Sequence, residues 1–205
     1  MMLKTQTGSG ELDLESFLTA EAEEHRLAFE SFVRGLKDPF QAVLSVWEHS
    51  IRQGGKLLVF GNGGSAGNAE HIAAELAIRY SADRDAIAAV ALSAGSSTIT
   101  AAANDYGFER IFSRQIEALG RPGDVAVGLS TSGRSPNVLR GLREARARGL
   151  RTTGFIGGSQ ESVMNELCDA AILVPSTITA RIQEMHLLVT HMLCKALEQR
   201  LGLTK

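Results

Sequence analysis

Leu57-Leu58-Val59-Phe60-Gly61-Asn62-Gly63-Gly64-Ser65-Ala66-Gly67-Asn68-Ala69-Glu70-His71-Ile72-Ala73-Ala74-Glu75-Leu76 is the stretch whose reading decides the fold. It reads as a buried strand, a glycine-rich turn and a helix. The opening apolar run of four suits a parallel strand covered on both faces. Four glycines between Gly61 and Gly67 let the backbone turn tightly and approach a ligand. Ser65 is a natural N-cap for the helix that follows. A helix start carries free N–H groups and a partial positive charge, a setting for a phosphate. One turn further on, His71 and Glu75 stand at i and i+4 and share a helix face. They are candidates for binding metal or moving protons.

Outward from this stretch the chain alternates. Strands are expected near 56–60, 87–92, 124–129, 152–156 and 171–174. Helices are expected near 65–79, 97–104, 109–118, 135–148, 161–167 and 178–201. Regular βα alternation predicts an α/β fold with a five-stranded parallel sheet between helical layers. Two helices precede it. One covers 13–35; the other starts at Asp38-Pro39, with proline in the N1 position, and stops at Gly54-Gly55. Their apolar faces need a partner, either the sheet or another subunit. Residues 1–12 are polar and expected to be flexible. Residues 13–205 then form a single domain, with 13–54 as its helical extension.

Composition narrows the function classes. A formal net charge of −2 argues against direct nucleic-acid binding. No apolar run reaches membrane-spanning length, and the first residues lack a secretory core. Cys168 and Cys194 do not make a disulfide framework, so a cytoplasmic setting is expected.

A second strand, turn and helix start runs from Val125 to Asn137 and contains Ser130-Thr131-Ser132-Gly133-Arg134-Ser135. Hydroxyls beside helix-start N–H groups suit a phosphate monoester without a lysine. In open α/β sheets both turns fall at the carboxyl edge, where ligands bind. Gly61-x-Gly63-x-x-Ala66 also fits a dinucleotide fingerprint. The second strand, however, ends Leu92-Ser93-Ala94-Gly95-Ser96, without the acid that would hold a ribose. A P-loop is excluded because no Gly-Lys-Ser/Thr follows.

The last helix is apolar on two sides. His186 borders one stripe and reads as a packed histidine. Gln183 and His191 lie on the other side, eight residues and about 12 Å of helix apart. Glu184 with His191, seven apart, fits the spacing equally well.

Taken together, Gly61-Asn62-Gly63-Gly64-Ser65 with His71 and Glu75, Asn104-Asp105-Tyr106-Gly107-Phe108, Ser130-Thr131-Ser132-Gly133-x-Ser135, and Arg181-Ile182-Gln183-Glu184-x-His186 with His191 resemble the sugar isomerase (SIS) domain family. The similarity is to its phosphoheptose isomerases. It covers residues from about 15 to the C-terminus. It implies a three-layer αβα, flavodoxin-like sandwich. The implied activity is zinc-dependent ketose–aldose isomerisation of sedoheptulose 7-phosphate through an enediol. One Zn²⁺ per site would be held by His71, Glu75, Gln183 and His191, which selects Gln183 over Glu184. Glu75 and His191 would be the acid/base pair. Sugar-phosphate contacts are implied at Asn62, Gly63, Gly64, Ser65, Glu75, Asn104, Asp105, Ser130, Thr131, Ser132, Ser135 and Gln183. The family is typically homotetrameric. A related silent subgroup binds the bacterial replication initiator and lacks the pair matching Glu75 and His191; this chain carries both. It departs from the usual isomerase pattern at Asn68 and Ala180, where Asp is common.

Overall fold

The computed structural model describes residues 12–81, 83–158 and 162–203. The flexible segment expected over 1–12 therefore lies, Leu12 apart, outside the described residues. Two helices lead, α1 (Leu14–Arg34) and α2 (Lys37–Arg52). There follow β1 (Leu57–Gly61), α3 (Gly64–Ala77), β2 (Ala89–Ala91), α4 (Ser96–Tyr106), α5 (Ser113–Leu119), β3 (Val125–Ser130), α6 (Pro136–Ala147), β4 (Arg151–Gly157), α7 (Val163–Glu166), β5 (Ala170–Val174) and α8 (Thr179–Arg200). The five strands form one parallel sheet in the order β2-β1-β3-β4-β5.

Strand periodicity sorts the core into two layers. Leu57 and Val59 of β1, with Val125, Val127 and Leu129 of β3, point to one face. Leu58, Phe60 and Ala126 point to the other. The first face is covered by α2, α3 and α8, through Trp47, Ile72, Leu76, Met185, Val189 and Leu193 among others. The second is covered by α4 to α7, through Ala102, Ile116, Val138, Leu142 and Met164. Of the three interior strands, β1 and β3 are buried along their whole length, which suits their apolar runs. Trp47 locks α2 onto the sheet. Its ring stacks on Phe155 at 6.1 Å, and its Nε1–H donates to Thr153 Oγ1 at 3.0 Å.

The leading helices divide the two expected roles. The sheet takes the apolar face of α2. In α1 only Phe32 is buried, while Leu14, Phe17, Leu18, Leu27, Phe29 and Val33 stay exposed.

Several boundaries differ from expectation. Ser65 is not the N-cap of α3; Gly63 is, at φ +53°, and the helix starts at Gly64. That backbone is open to glycine and strained for a side chain. Ser65 sits in the first turn, buried against Gly61. Helix α2 begins before Asp38-Pro39, at Lys37, which places proline inside the first turn instead of at N1. The first turn needs no intrahelical N–H, so proline is tolerated there. The helix expected over 109–118 divides into a 3₁₀ turn at Phe108–Arg110 and α5. The second strand shrinks to Ala89–Ala91 because it is an edge strand paired only with β1.

His186 is fully buried among these core residues, with its ring 5.8 Å from Phe155. Neither ring nitrogen has a partner with hydrogen-bond geometry among the described residues. Burial pushes its imidazole down to about 4, with the Ile156 backbone opposing. An unfolded chain takes up this proton near pH 6.5. The native state thus binds fewer protons between these values, and stability falls as pH drops through that window. Between pH 7 and pH 4.5 this site is expected to cost about 2 kcal/mol. His186→Leu should remove that share, read as a smaller difference between chemical unfolding at the two pH values. An unchanged difference would refute the assignment.

Candidate active site

The strand order reverses between β1 and β3, so the loops after these strands part and leave a crevice at the carboxyl edge. Both motif turns meet there. Asn62 of the first and Asn137 of the second form a reciprocal amide pair. Asn62 Nδ2 donates to Asn137 Oδ1 at 2.9 Å, and Asn137 Nδ2 donates to Asn62 Oδ1 at 2.8 Å. Asn137 Oδ1 also accepts the Val138 N–H. No sequence motif assigns Asn137 a site role. Its signal was faint: a second asparagine at the start of the second helix, matching the one beside the first.

The hydroxyl loop closes on itself. Ser130 is buried, and its Oγ lies 3.1 Å from Ser135 Oγ and 3.4 Å from Ser132 Oγ. It accepts the Gly133 N–H at 3.1 Å. Ser135 is the N-cap residue of α6, yet its side chain makes no cap bond to that helix. Its hydroxyl turns instead toward Ser130. Three serine oxygens thus converge on one helix N-terminus, an arrangement that suits an anion. Thr131 and Ser132 also line a cavity of about 300 Å³ with Arg134, Gly157, Ser162 and Thr179.

The second half of the site forms where α3 meets α8. His71 Nε2 lies 2.8 Å from His191 Nε2 and 3.3 Å from Glu75 Oε1. One ligand atom from each of the three residues falls within 4.8 Å of the others. All three residues are partly exposed. Two ligands of one tetrahedral zinc, at bonds of about 2.0–2.1 Å, stand about 3.3 Å apart. The observed separations from His71 Nε2, 2.8 and 3.3 Å, lie at or just below that value. Two imidazoles and a carboxylate are also a donor set that zinc accepts. The residues therefore fit the metal. Tyr80 flanks the cluster, its ring centroid 5.7 Å from that of His191. Cys194 is buried beside the same residues. Burial, with the Glu75 charge adding to it, pushes its thiol up to about 12.

Gln183 lies at the glycine end of α3. A Cβ on Gly64 would fall 2.5 Å from Gln183 Nε2 and 2.6 Å from its Oε1, so glycine there makes room for the amide. Asn68 Nδ2 donates to the Gln183 carbonyl at 3.1 Å, a bond an aspartate could not make. Glu184, the other spacing-compatible residue, is engaged elsewhere. It pairs with Arg181 at 3.0 Å and with His25 of α1 at 2.7 Å.

Asn104 and Asp105 are exposed near the end of α4 and hydrogen-bonded to each other at 2.8 Å. Among the described residues neither side chain hydrogen-bonds to either loop. Ala180 lies in the first turn of α8 and offers no polar group.

The chain matches the SIS domain family model over residues 22–157. It is 51% identical over 183 residues to a phosphoheptose isomerase of Paramagnetospirillum magneticum, covering 89% of this chain and 95% of that one. It superposes on the structure of a phosphoheptose isomerase from Neisseria gonorrhoeae with a TM-score of 0.84 at 36% identity. That match covers 91% of this chain and 99% of the other. A phosphoheptose isomerase from Francisella tularensis gives the same TM-score of 0.84 at 30% identity, over 92% and 100% of the two chains.

Proposed function

The chain belongs to the SIS domain family, in its phosphoheptose isomerase group, and from that premise we propose that it converts sedoheptulose 7-phosphate to D-glycero-D-manno-heptose 7-phosphate with zinc in the site. It is a sugar-phosphate isomerase. The sugar, the metal and the residue roles are the proposed part. The observation that carries them is the convergence of His71 and Glu75 of α3 with His191 of α8, brought together across 120 residues of sequence.

Aldose–ketose isomerisation moves one proton between C1 and C2 of the open-chain sugar through an enediol. It needs a base at carbon and an acid at oxygen. Glu75 takes the proton from C1 and returns it to C2. His191 gives and recovers a proton at the sugar oxygens. Zinc, held by His71, Glu75, Gln183 and His191, would polarise the carbonyl and stabilise the developing negative oxygen. Ser130, Thr131, Ser132 and Ser135 hold the phosphate. Gly63, Gly64 and Ser65 line the sugar end with Asn62 and Gln183, and Asn104 and Asp105 complete the contacts. The amide pair Asn62–Asn137 fixes the spacing between phosphate loop and sugar loop. Such positioning turns binding energy into rate.

The silent alternative finds no support in these relatives. Assembly into a homotetramer belongs to the same reading, and the uncovered apolar residues of α1 support it. Among the described residues no helix is long and apolar enough to cross a membrane. A cytoplasmic enzyme supplying heptose for surface polysaccharide is the setting that fits the proposed substrate.

Purified protein with zinc should convert the ketose phosphate to the aldose phosphate, followed by NMR of both sugars. No conversion at any metal loading would overturn the substrate assignment.

A further inference from the structure

We propose that Arg84 is a positioning residue for the isomerisation, setting Glu75 against His191 by clamping the end of α3 to α8; this rests on the roles proposed above for those two residues. A helix leaves its last carbonyls without intrahelical partners. At the end of α3 two of them belong to Glu75 and Leu76. Arg84 Nη2 donates to the Glu75 carbonyl at 2.8 Å, and Nη1 donates to the Leu76 carbonyl at 3.0 Å. Its Nε donates to Glu198 Oε1 on α8 at 2.8 Å. Only 1% of each of these two side chains is exposed. The guanidinium is therefore one rigid piece that grips both helices of the site at once. On α3 it holds the residue proposed as base by its own backbone. On α8 it holds Glu198, two helical turns beyond His191 and so near the same face.

The arrangement is more than a buried ion pair. A pair alone would tie α8 to the chain after α3. The forked donors carry that tie into the helix itself, at Glu75. The backbone also returns to the same carbonyl end, since the Ile87 N–H donates to the Leu76 carbonyl at 3.0 Å. Loosening this end moves the Glu75 carboxylate relative to His191 without touching the phosphate loop. The expected signature is a loss of rate with substrate binding preserved.

Lysine at this position keeps a cation for Glu198 but replaces a five-donor fork by a single flexible head. Arg84→Lys, folded by circular dichroism and assayed at 25 °C with saturating zinc, is expected to lose kcat about 10- to 100-fold, as a misplacement on the order of 1 Å would cost. KM should stay within about twofold. Zinc affinity, read by chelator competition, should also weaken. A folded Arg84→Lys with wild-type kcat, or one altered only in melting temperature or KM, overturns the proposal. Glu198→Gln retains an acceptor for Arg84 and serves if the lysine variant does not fold. It should lower kcat in the same direction by less, and a wild-type kcat there is equally adverse. Glu75→Gln measured alongside separates the two levels. If it remains active, the role of Glu75 and this proposal fall together; if it is inactive while Arg84→Lys is fully active, only the role of Arg84 falls.

Discussion

Glu75→Gln is expected to lose isomerase turnover by at least 10²-fold and up to about 10⁴-fold, the range a positioned acid or base contributes. Glutamine has the size of glutamate and keeps an oxygen that can face a metal. It cannot accept a proton from carbon at neutral pH. The side chain lines an open site and is 20% exposed, so the fold loses little by the change. Its backbone stays clamped by Arg84. Melting temperature should therefore match the parent, and zinc content should match it at saturating metal, while kcat collapses and KM barely moves. That split is what distinguishes removal of a base from damage to the metal site. Turnover within a few-fold of the parent would remove Glu75 from the chemistry and with it the proposed proton path.

His191→Ala should have an effect of similar size on turnover but a different accompaniment. His191 is proposed both as a zinc ligand and as the group that moves a proton at oxygen. Its Nε2 is the partner that His71 Nε2 faces at 2.8 Å, and the Tyr80 ring lies tilted against its own. Alanine deletes a metal donor along with the imidazole, leaving His71 and Glu75 of the clustered three. Zinc measured on protein purified without added metal should fall well below one per chain. Turnover should drop about 10²- to 10⁴-fold and should not return when zinc is added in excess. Recovery of full activity with added zinc would confine His191 to metal binding. Full zinc occupancy and full activity without addition would exclude it from the site. Set beside Glu75→Gln, which is expected to keep the metal when zinc is saturating, this variant separates the two roles that one cluster combines.

Much of this was legible along the chain because the signals are local. The strand, turn and helix from Leu57 to Leu76 show their periodicity within one window. So does the second hydroxyl turn, and both lie at the carboxyl edge as strand polarity requires. The i,i+4 spacing of His71 and Glu75 puts them on one face whatever surrounds the helix. Boundaries were less legible. Whether Gly63 or Ser65 caps α3 depends on a positive φ that neighbouring packing selects.

The choice between Gln183 and Glu184 shows where local reading stops. Both satisfy the spacing to His191, and only the resemblance to known isomerases favoured Gln183. The folded chain places the two residues in different surroundings. Arg181 and His25 occupy Glu184, whereas Gln183 packs into the gap left by a missing side chain at Gly64. Asn137 was barely legible, and Tyr80 and Arg84 not at all, for the same cause. Each acts on a partner 75 to 114 positions away in sequence, and no periodicity records such a pairing. Residue types and helical spacing determined by themselves that this chain is an α/β sandwich carrying a hydroxyl-rich loop and a His/Glu pair at helical spacing. Tertiary structure alone decided that α8 covers the same sheet face as α3. A site shared by two helices exists only once burial of their apolar faces on one side of the sheet has set them side by side.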